Sequence, residues 1–152
     1  LGKTEEDFYC AIASSFMLSA DNAHAVHPHH PQKTDATNCV YMNEGIVVKS
    51  HAGQKYTSDA VSIAVFKDLC KKANVPVQFF ANRSDEAGGS TLGNIAMAQV
   101  SMNSVDIGLP QLAMHSTYET AGIKDTYYMI QVMTEFFNSH ISEVNSHSLK
   151  VD

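Results

Sequence analysis

Apolar positions along the chain alternate between short continuous runs and runs with helical spacing. A Thr-x-x-Asp capping pattern at Thr4 to Asp7 precedes Phe8, Ile12 and Phe16 at helical spacing, which predicts a helix near the start of the chain. The mostly apolar residues Phe16 to Ala20 then predict a buried strand. From Asp21 to Asn43 the sequence is rich in His, Pro, Asn, Asp and Thr, which is typical of a long loop. A loop of this length often carries function.

The rest of the chain repeats the order of strand and then helix. Strands are predicted at Ile46 to Lys49, Val77 to Phe80 and Val105 to Gly108. Helices are predicted after a Ser58 or Asp59 cap up to about Ala73, from about Leu92 to Val100 after a Ser90 or Thr91 cap, and from about Thr126 to His140. This alternation indicates an α/β layered domain with a largely parallel or mixed sheet. The polar residues from Asn145 to Asp152 are expected to fray.

Length and charge limit the class of protein. With 152 residues, 44% of them hydrophobic, the chain is suited to one domain with one core. A net charge of -6 provides no basic surface for nucleic acid or for anionic lipid. No apolar run approaches the ~20 residues that span a bilayer, and the first residues do not resemble a signal peptide. We therefore expect a soluble, cytoplasmic protein, in which Cys10, Cys39 and Cys70 are reduced structural thiols.

Three polar segments follow predicted strands and carry most of the candidate chemistry. They are Asp21 to His30, Asn82 to Thr91 and Pro110 to Ser116. Because ligand sites of α/β sheets lie beyond the carboxyl ends of strands, we expect these segments to converge. The first segment combines Asp21 with four of the eight histidines of the chain, and divalent metals prefer carboxylate and imidazole ligands. A solvated polar loop without a metal would have the same composition.

Each of the remaining candidates also has a functional and a structural interpretation. Lys49 can receive a substrate carboxylate and Tyr56 can stabilise an oxyanion, or the lysine can snorkel from a sheet edge while the tyrosine packs in the core. The glycines of Gly88 to Thr91 can let backbone amides approach an anionic ligand, or form an ordinary capped turn. His115 is either a ligand or a packed side chain. The chain has no GxSxG elbow, so a serine hydrolase is not favoured.

Four segments occur together in one order. They are SADNAHAVHP at Ser19 to Pro28, GIVVKSHAGQKYTSDA at Gly45 to Ala60, NRSDEAGGSTLGNI at Asn82 to Ile95 and VDIGLPQLAMHSTYETAG at Val105 to Gly122. Taken together they resemble the aspartyl aminopeptidases, a family of peptidases with two co-catalytic metals. The resemblance extends from about Ser14 to Ile141, and four matches in register are far more specific than any one of them.

The resemblance implies two bridged divalent metals, Zn²⁺ or alternatively Co²⁺ or Mn²⁺, on a phosphorylase/hydrolase-like fold. It makes Asp21 a ligand of one metal and His115 a ligand of the other. The resemblance also implies which residues surround the peptide substrate: His24, Lys49, Tyr56, Gly89, Ser90 and Thr91. The implied reaction is hydrolysis of the amino-terminal peptide bond, preferentially after an acidic residue, by a metal-activated water. Lys49 offers a physical reason for the acidic preference.

Family members are several hundred residues long and form dodecamers, so the resemblance also implies that much is missing here. The only adjacent glutamates, Glu5 and Glu6, lie in the first turn of a predicted helix and are unsuited to act as the general base. We expect the chain to be the carboxy-terminal part of a catalytic domain, without the dimerisation domain and inactive alone. Two alternatives remain open: a non-catalytic module whose histidine-rich loop binds a metal or a partner, and another hydrolase such as a deacylase.

Overall fold

The computed structural model describes residues 2–145 and 148–152. In chain order its elements are α1 (Glu5–Ala13), β1 (Phe16–Ala20), β2 (Ala23–His24), a short 3-10 helix (Pro31–Lys33), β3 (Ile46–Ser50), α2 (Ala60–Lys72), β4 (Val77–Ala81), α3 (Leu92–Met97), β5 (Asn103–Gly108), β6 (Pro110–Leu112), β7 (Thr120–Ala121), α4 (Ile123–Asn138), β8 (Ile141–Asn145) and β9 (Ser148–Val151). Within these residues no helix is long and apolar enough to cross a bilayer, and α4, the longest, has 16 residues.

The central sheet has four strands in the order β1-β5-β3-β4. β1 and β5 are parallel to each other, as are β3 and β4, whereas β3 and β5 are antiparallel. The predicted α/β class is confirmed, in its mixed-sheet form. This mixture has a geometric consequence: the carboxyl ends of β1 and β5 lie at one end of the sheet, and those of β3 and β4 lie at the opposite end.

The two faces of this sheet carry different side chains, because residues alternate along each strand. The first face is apolar and packs against α2 and α4 through Ile46, Val48, Val105 and Ile107. The second face carries Val47, Lys49, Ser104 and Asp106, which are also buried. On this second face lie α3 and the long loop that follows β1. The polar chemistry of the chain is therefore collected on one side of the sheet.

Helix α2 supplies much of the core. It begins at the N-cap Asp59, whose carboxylate accepts from the backbone N–H of Ser62 at 2.7 Å, while the Ser62 hydroxyl accepts from the N–H of Asp59 at 3.0 Å. This reciprocal pair satisfies two backbone donors at the start of the helix. Burial raises the pKa of the Cys70 thiol to about 12, so this thiol stays protonated and unreactive at neutral pH.

Replacing Asp59 by alanine should lower the free energy of unfolding by about 1 kcal/mol, the usual effect of losing a helix cap. Urea denaturation monitored by circular dichroism would measure it. The matched control is Asp68→Ala, which removes an exposed ion pair with Lys72 at 3.5 Å and should cost less than about 0.5 kcal/mol. Equal losses in the two variants would contradict the capping role.

Asp125 connects the start of α4 to the turn before β3. Its buried carboxylate accepts from the backbone N–H groups of Asn43 at 2.5 Å and Gly45 at 3.0 Å. Burial raises the pKa of Asp125, and these two hydrogen bonds oppose the rise. Gly45 has a φ of 117°, and a Cβ there would overlap the carbonyl oxygen of Pro76. Only glycine therefore fits this turn.

Most predicted elements are confirmed, with several differences. The loop predicted from Asp21 to Asn43 contains β2 and the 3-10 helix, and α1 ends at Ala13, so that Phe16 belongs to β1 and not to the helix. α3 ends at Met97 rather than near Val100, and α4 begins at Ile123 rather than near Thr126. The prediction that the last residues fray was wrong for 148–152, because β9 pairs with β8 and packs Leu149 and Val151 against the core. Residues 146–147, which the same prediction covered, lie outside the described residues.

Candidate functional site

Asp21 directly follows β1, and its side chain is exposed. Its backbone N–H donates to the carbonyl of Ile107 at 3.0 Å, and its carboxylate accepts from the N–H of Asn22 at 2.7 Å. A Cβ on Gly108 would overlap the Asp21 carbonyl oxygen, so the absence of a side chain at position 108 lets the two backbones approach. The carboxylate is thereby held at the surface beside the end of β5.

The two-residue strand β2 links Asp21 to the segment that contains His115. It pairs in parallel with β6, which places Ala23 beside Pro110 and His24 beside Gln111. Partial burial lowers the pKa of His24, and the nearby charges of His115 and Lys49 lower it further. His24 therefore lies close enough to both His115 and Lys49 for their charges to act on it.

His115 lies in an exposed turn after β6. The backbone is left-handed at Ala113, with a φ of 55°, and at His115, with a φ of 67°. The turn is held by hydrogen bonds from His115 N–H to the Glu119 carboxylate at 2.6 Å and from Ser116 N–H to the Ala113 carbonyl at 3.0 Å. Left-handed non-glycine residues are uncommon and cluster at functional sites. The alternative interpretation of His115 as a packed core side chain is wrong.

Lys49 lies on the interior strand β3 and is only 2% exposed. Its Nζ is 3.4 Å from the carbonyl oxygens of both Asp21 and Asn22. Burial lowers the pKa of Lys49, while the carboxylates of Asp21 and Asp106 act in the opposite direction. Within the described part of the chain, no carboxylate is at ion-pair distance from it. Lys49 is therefore a buried cation beneath Asp21, and not a lysine snorkelling from a sheet edge.

Tyr56 lies next to Lys49, with the centre of its ring 5.2 Å from the ammonium nitrogen. The ring also packs against the rings of His51 and Phe80. Burial raises the pKa of the Tyr56 phenol, and the carboxylates of Asp106 and Asp21 raise it further. The phenol therefore stays protonated at neutral pH and remains a hydrogen-bond donor.

The turn from Gly88 to Thr91 leads into α3. Lys55 Nζ donates to the Gly88 carbonyl at 2.8 Å, and the space around Gly89 is open. Ser90 bonds to the side chain of Asn94 at 2.7 Å. Thr91 occupies the cap position but makes no side-chain capping bond, and its buried hydroxyl has no partner among the described residues. The predicted cap position, Ser90 or Thr91, is confirmed at Thr91, although its side chain does not contribute a capping bond.

Two cavities flank these residues. One, of about 350 Å³, lies between β1 and α3 and is lined by Asp21 and Gly93. The other, of about 260 Å³, is lined by His24, His27 and Arg83. The second cavity shows that the segment after β4 reaches the histidine-rich loop, and the Arg83 guanidinium donates to the carbonyl of Gln32.

The three polar segments thus come together, but not for the reason that the sequence suggested. β4 runs opposite to β1 and β5, so the segments do not share one edge of the sheet. The loop after β1 instead folds back across the second face, where Ala23 and Val40 pack on Val47 and Phe80. The polar segments therefore meet over one face of the sheet and not at the ends of its strands.

The metal-binding capacity of these residues is limited. Asp21 and His115 offer one carboxylate and one imidazole, donors suited to zinc. The rings of His27 and His30 have centres 5.2 Å apart, yet the described residues hold no group of three or more His, Cys, Asp or Glu that could surround an ion. Asp21 and His115 are thus suited to supply only part of a metal site, and the described histidine-rich loop gathers no three such ligands by itself.

Comparison with known proteins gives the family. The family model described as "Aminopeptidase I zinc metalloprotease (M18)" matches residues 1–137. The chain belongs to the M18 peptidase family. A "Probable M18 family aminopeptidase 2" from Clostridium novyi (strain NT) is 52% identical over 138 residues, which cover 91% of this chain and 32% of that relative. This M18 chain thus spans about a third of the length of the curated relatives it matches.

Solved M18 structures have the same fold. The match to a chain in "Cryo-EM structure of the Ape4 and Nbr1 complex" has a TM-score of 0.87 at 38% identity and covers 90% of this chain and 26% of that one. The S. cerevisiae mApe1 dodecamer matches with a TM-score of 0.79 at 26% identity, over 91% of this chain and 30% of that one. The family resemblance and the fold class predicted from sequence are both confirmed.

Proposed function

We propose that this M18 chain supplies the carboxy-terminal part of a catalytic domain that removes amino-terminal residues, preferentially Asp or Glu, from peptides. The observation that supports the proposal is the position of Lys49 beneath the Asp21 segment, with His24 near both Lys49 and His115. The remaining metal ligands and the general base would come from other segments of a whole M18 protein, and the chain by itself would be inactive.

In this proposal Asp21 and His115 each hold one of two divalent metals. When bound, the metal pair supplies a water of lowered pKa and polarises the scissile carbonyl. Lys49 places a positive charge under the Asp21 segment, which favours a substrate carboxylate nearby. The protonated Tyr56 hydroxyl can donate a hydrogen bond to the oxygen that gains charge during hydrolysis. His24 and the open turn at Gly89 to Thr91 border the space left for the peptide.

We also propose a cytoplasmic homo-oligomer, by analogy with the S. cerevisiae mApe1 dodecamer. Large apolar side chains are unusually exposed on this chain, including Leu92, Ile123 and Phe137. Where exposed apolar side chains form a contiguous patch, the patch marks a contact surface. Other parts of an M18 subunit and neighbouring subunits would cover them.

A chimera would test the catalytic proposal. The matching 138-residue segment of the Clostridium novyi relative would be replaced by the corresponding part of this chain, and release of amino-terminal Asp, Glu and Leu from short peptides would be measured. We expect hydrolysis of Asp and Glu peptides that stops on chelation and returns with Zn²⁺, Co²⁺ or Mn²⁺. This chain alone should show no hydrolysis.

The unmodified relative is the positive control for that assay. Peptides with an acetylated amino terminus should resist the chimera, because an aminopeptidase needs a free amine, whereas a deacylase would not discriminate in this way. A folded chimera that cleaves nothing under conditions in which the relative is active would refute the proposal.

A further inference from the structure

Asp106 is a carboxylate on β5 with 0% exposure. A buried carboxylate is costly unless hydrogen bonds compensate for lost water. Asp106 accepts from the Ser19 hydroxyl at 2.6 Å, from the Thr57 N–H at 2.6 Å and from the Thr57 hydroxyl at 3.0 Å. Its own N–H donates to the Ser58 hydroxyl at 2.9 Å. The group is therefore held by several donors, none of them on its own strand.

These partners all belong to segments that form the candidate site. Ser19 lies two residues before Asp21 on β1, and Thr57 directly follows Tyr56. A third segment, α3, approaches the same carboxylate at Gly93, where a Cβ would lie 2.6 Å from the Ser19 hydroxyl and 3.0 Å from Asp106 Oδ1. One buried carboxylate thus connects the segments that carry Asp21, Tyr56 and the Gly89–Thr91 turn.

Lys49 completes this arrangement. The antiparallel register of β3 and β5 pairs Val48 with Ile107, and Lys49 and Asp106 are the next residues along the two strands. Both side chains are buried on the second sheet face. An ordinary core aspartate would satisfy its hydrogen bonds wherever donors were available, whereas the partners of Asp106 are confined to the site.

We propose that Asp106 is a positioning residue of the M18 site, holding Ser19 and Thr57 so that Asp21 and Tyr56 keep a constant separation. The expected effect of Asp106 on catalysis rests on the proposed function. The positioning of the two segments does not, because it can be observed without activity. Asp106 touches neither substrate nor metal in this role, and acts through the two segments it joins.

Hydrogen–deuterium exchange of the 152-residue chain tests the positioning. In Asp106→Ala we expect exchange at 19–22 and 54–58 to accelerate about tenfold or more, since the bonds that close these segments are lost. Asp106→Asn should stay near the wild type, because its amide oxygen can accept from Thr57 while its NH₂ group donates to the Ser19 hydroxyl.

The matched control is Asp125→Ala, which removes an equally buried carboxylate whose hydrogen-bond donors are two backbone N–H groups outside the site. It should accelerate exchange at 43–45 and leave 54–58 unchanged. Equal acceleration at 54–58 in the Asp106 and Asp125 variants would overturn the proposal. If Asp106→Ala fails to fold, Ser19→Ala removes one of its contacts, and unchanged exchange at 19–22 in that variant would overturn the proposal as well.

Kinetics of the chimera test the catalytic consequence. Asp106→Ala should lower kcat at least about tenfold at similar KM, because displacements near 1 Å in a catalytic site are costly. Asp106→Asn should recover kcat to within about threefold, and Asp125→Ala should leave kcat per folded enzyme unchanged. Full kcat in Asp106→Ala would overturn the inference. An inactive parent chimera would instead refute the proposed function, and the exchange data would then decide the positioning role alone.

Discussion

Replacing Asp21 or His115 by alanine in the chimera should lower kcat/KM for Asp and Glu peptides by at least about 100-fold. Even residues that only support metal ligands change affinity or activity by 10–100-fold when lost, and these two are proposed as ligands themselves. Zinc titration of each variant by calorimetry should show a weakened or missing metal. Peptide hydrolysis and metal content would be measured on the same samples.

Two controls repeat the same chemical changes elsewhere on the surface. His29 is an exposed histidine of the loop that follows β1, and Asp68 is a surface aspartate of α2. His29→Ala and Asp68→Ala should keep activity and metal content near those of the parent chimera. If Asp21→Ala and His115→Ala were indifferent while a combined His27, His29 and His30 variant lost metal, the alternative of a non-catalytic histidine-rich module would be correct.

Replacing Phe66 by alanine should lower the free energy of unfolding by about 3–5 kcal/mol, because a fully buried phenylalanine leaves a cavity that the core cannot close. Its side chain is 0% exposed in the core between α2 and the sheet. A loss of this size is comparable with the whole stability of many domains, which is about 5–15 kcal/mol. Urea unfolding of the purified chain would measure it.

Phe137→Ala is the matched control, because the same atoms are removed from a side chain that is 79% exposed. It should change the free energy of unfolding by no more than about 0.5 kcal/mol. If the Phe137 variant lost as much stability as the Phe66 variant, the isolated chain would have to bury Phe137 through self-association. Sedimentation of both variants would detect that.

The local elements were predictable because their signals are local. The Thr4–Asp7 capping box was expected from sequence, as was a cap at Ser58 or Asp59, and the structure has the box and a cap at Asp59. The strand Phe16–Ala20 has the predicted bounds. Helix caps and apolar runs involve residues that are close together in the sequence, so the neighbouring residues suffice to identify them.

The direction of strand pairing could not be predicted in the same way. Nothing near β3 marks it as antiparallel to β5, since that pairing joins residues about sixty positions apart. The two-residue strands β2 and β7 are too short to show any alternation. The convergence of the polar segments was expected, but its geometry depends on these non-local pairings and became visible only in the fold.

The candidate site residues were predicted from four motifs, whereas Asp106 and Gly108 were not singled out. Asp106 and Gly108 stand within the strand prediction Val105 to Gly108, where they resemble interruptions of an apolar run. The signals were present, because an aspartate inside a buried strand requires partners and a glycine there permits a close backbone approach. The hydrogen-bond partners of Asp106, however, are Ser19 and Thr57, which lie 87 and 49 positions away. They could not be named from sequence.

The order of the strands also bears on how the chain folds. β3, α2 and β4 are consecutive from Ile46 to Ala81, whereas pairing β1 with β5 joins Phe16 to Asn103. Contacts between distant residues form slowly, because a long stretch of chain must close before they contribute. We expect the β3-α2-β4 unit to form early and the β1–β5 pair late. Asp21 would then reach its place beside Ile107 only in the final step, so a folding intermediate would have much of its core and no site.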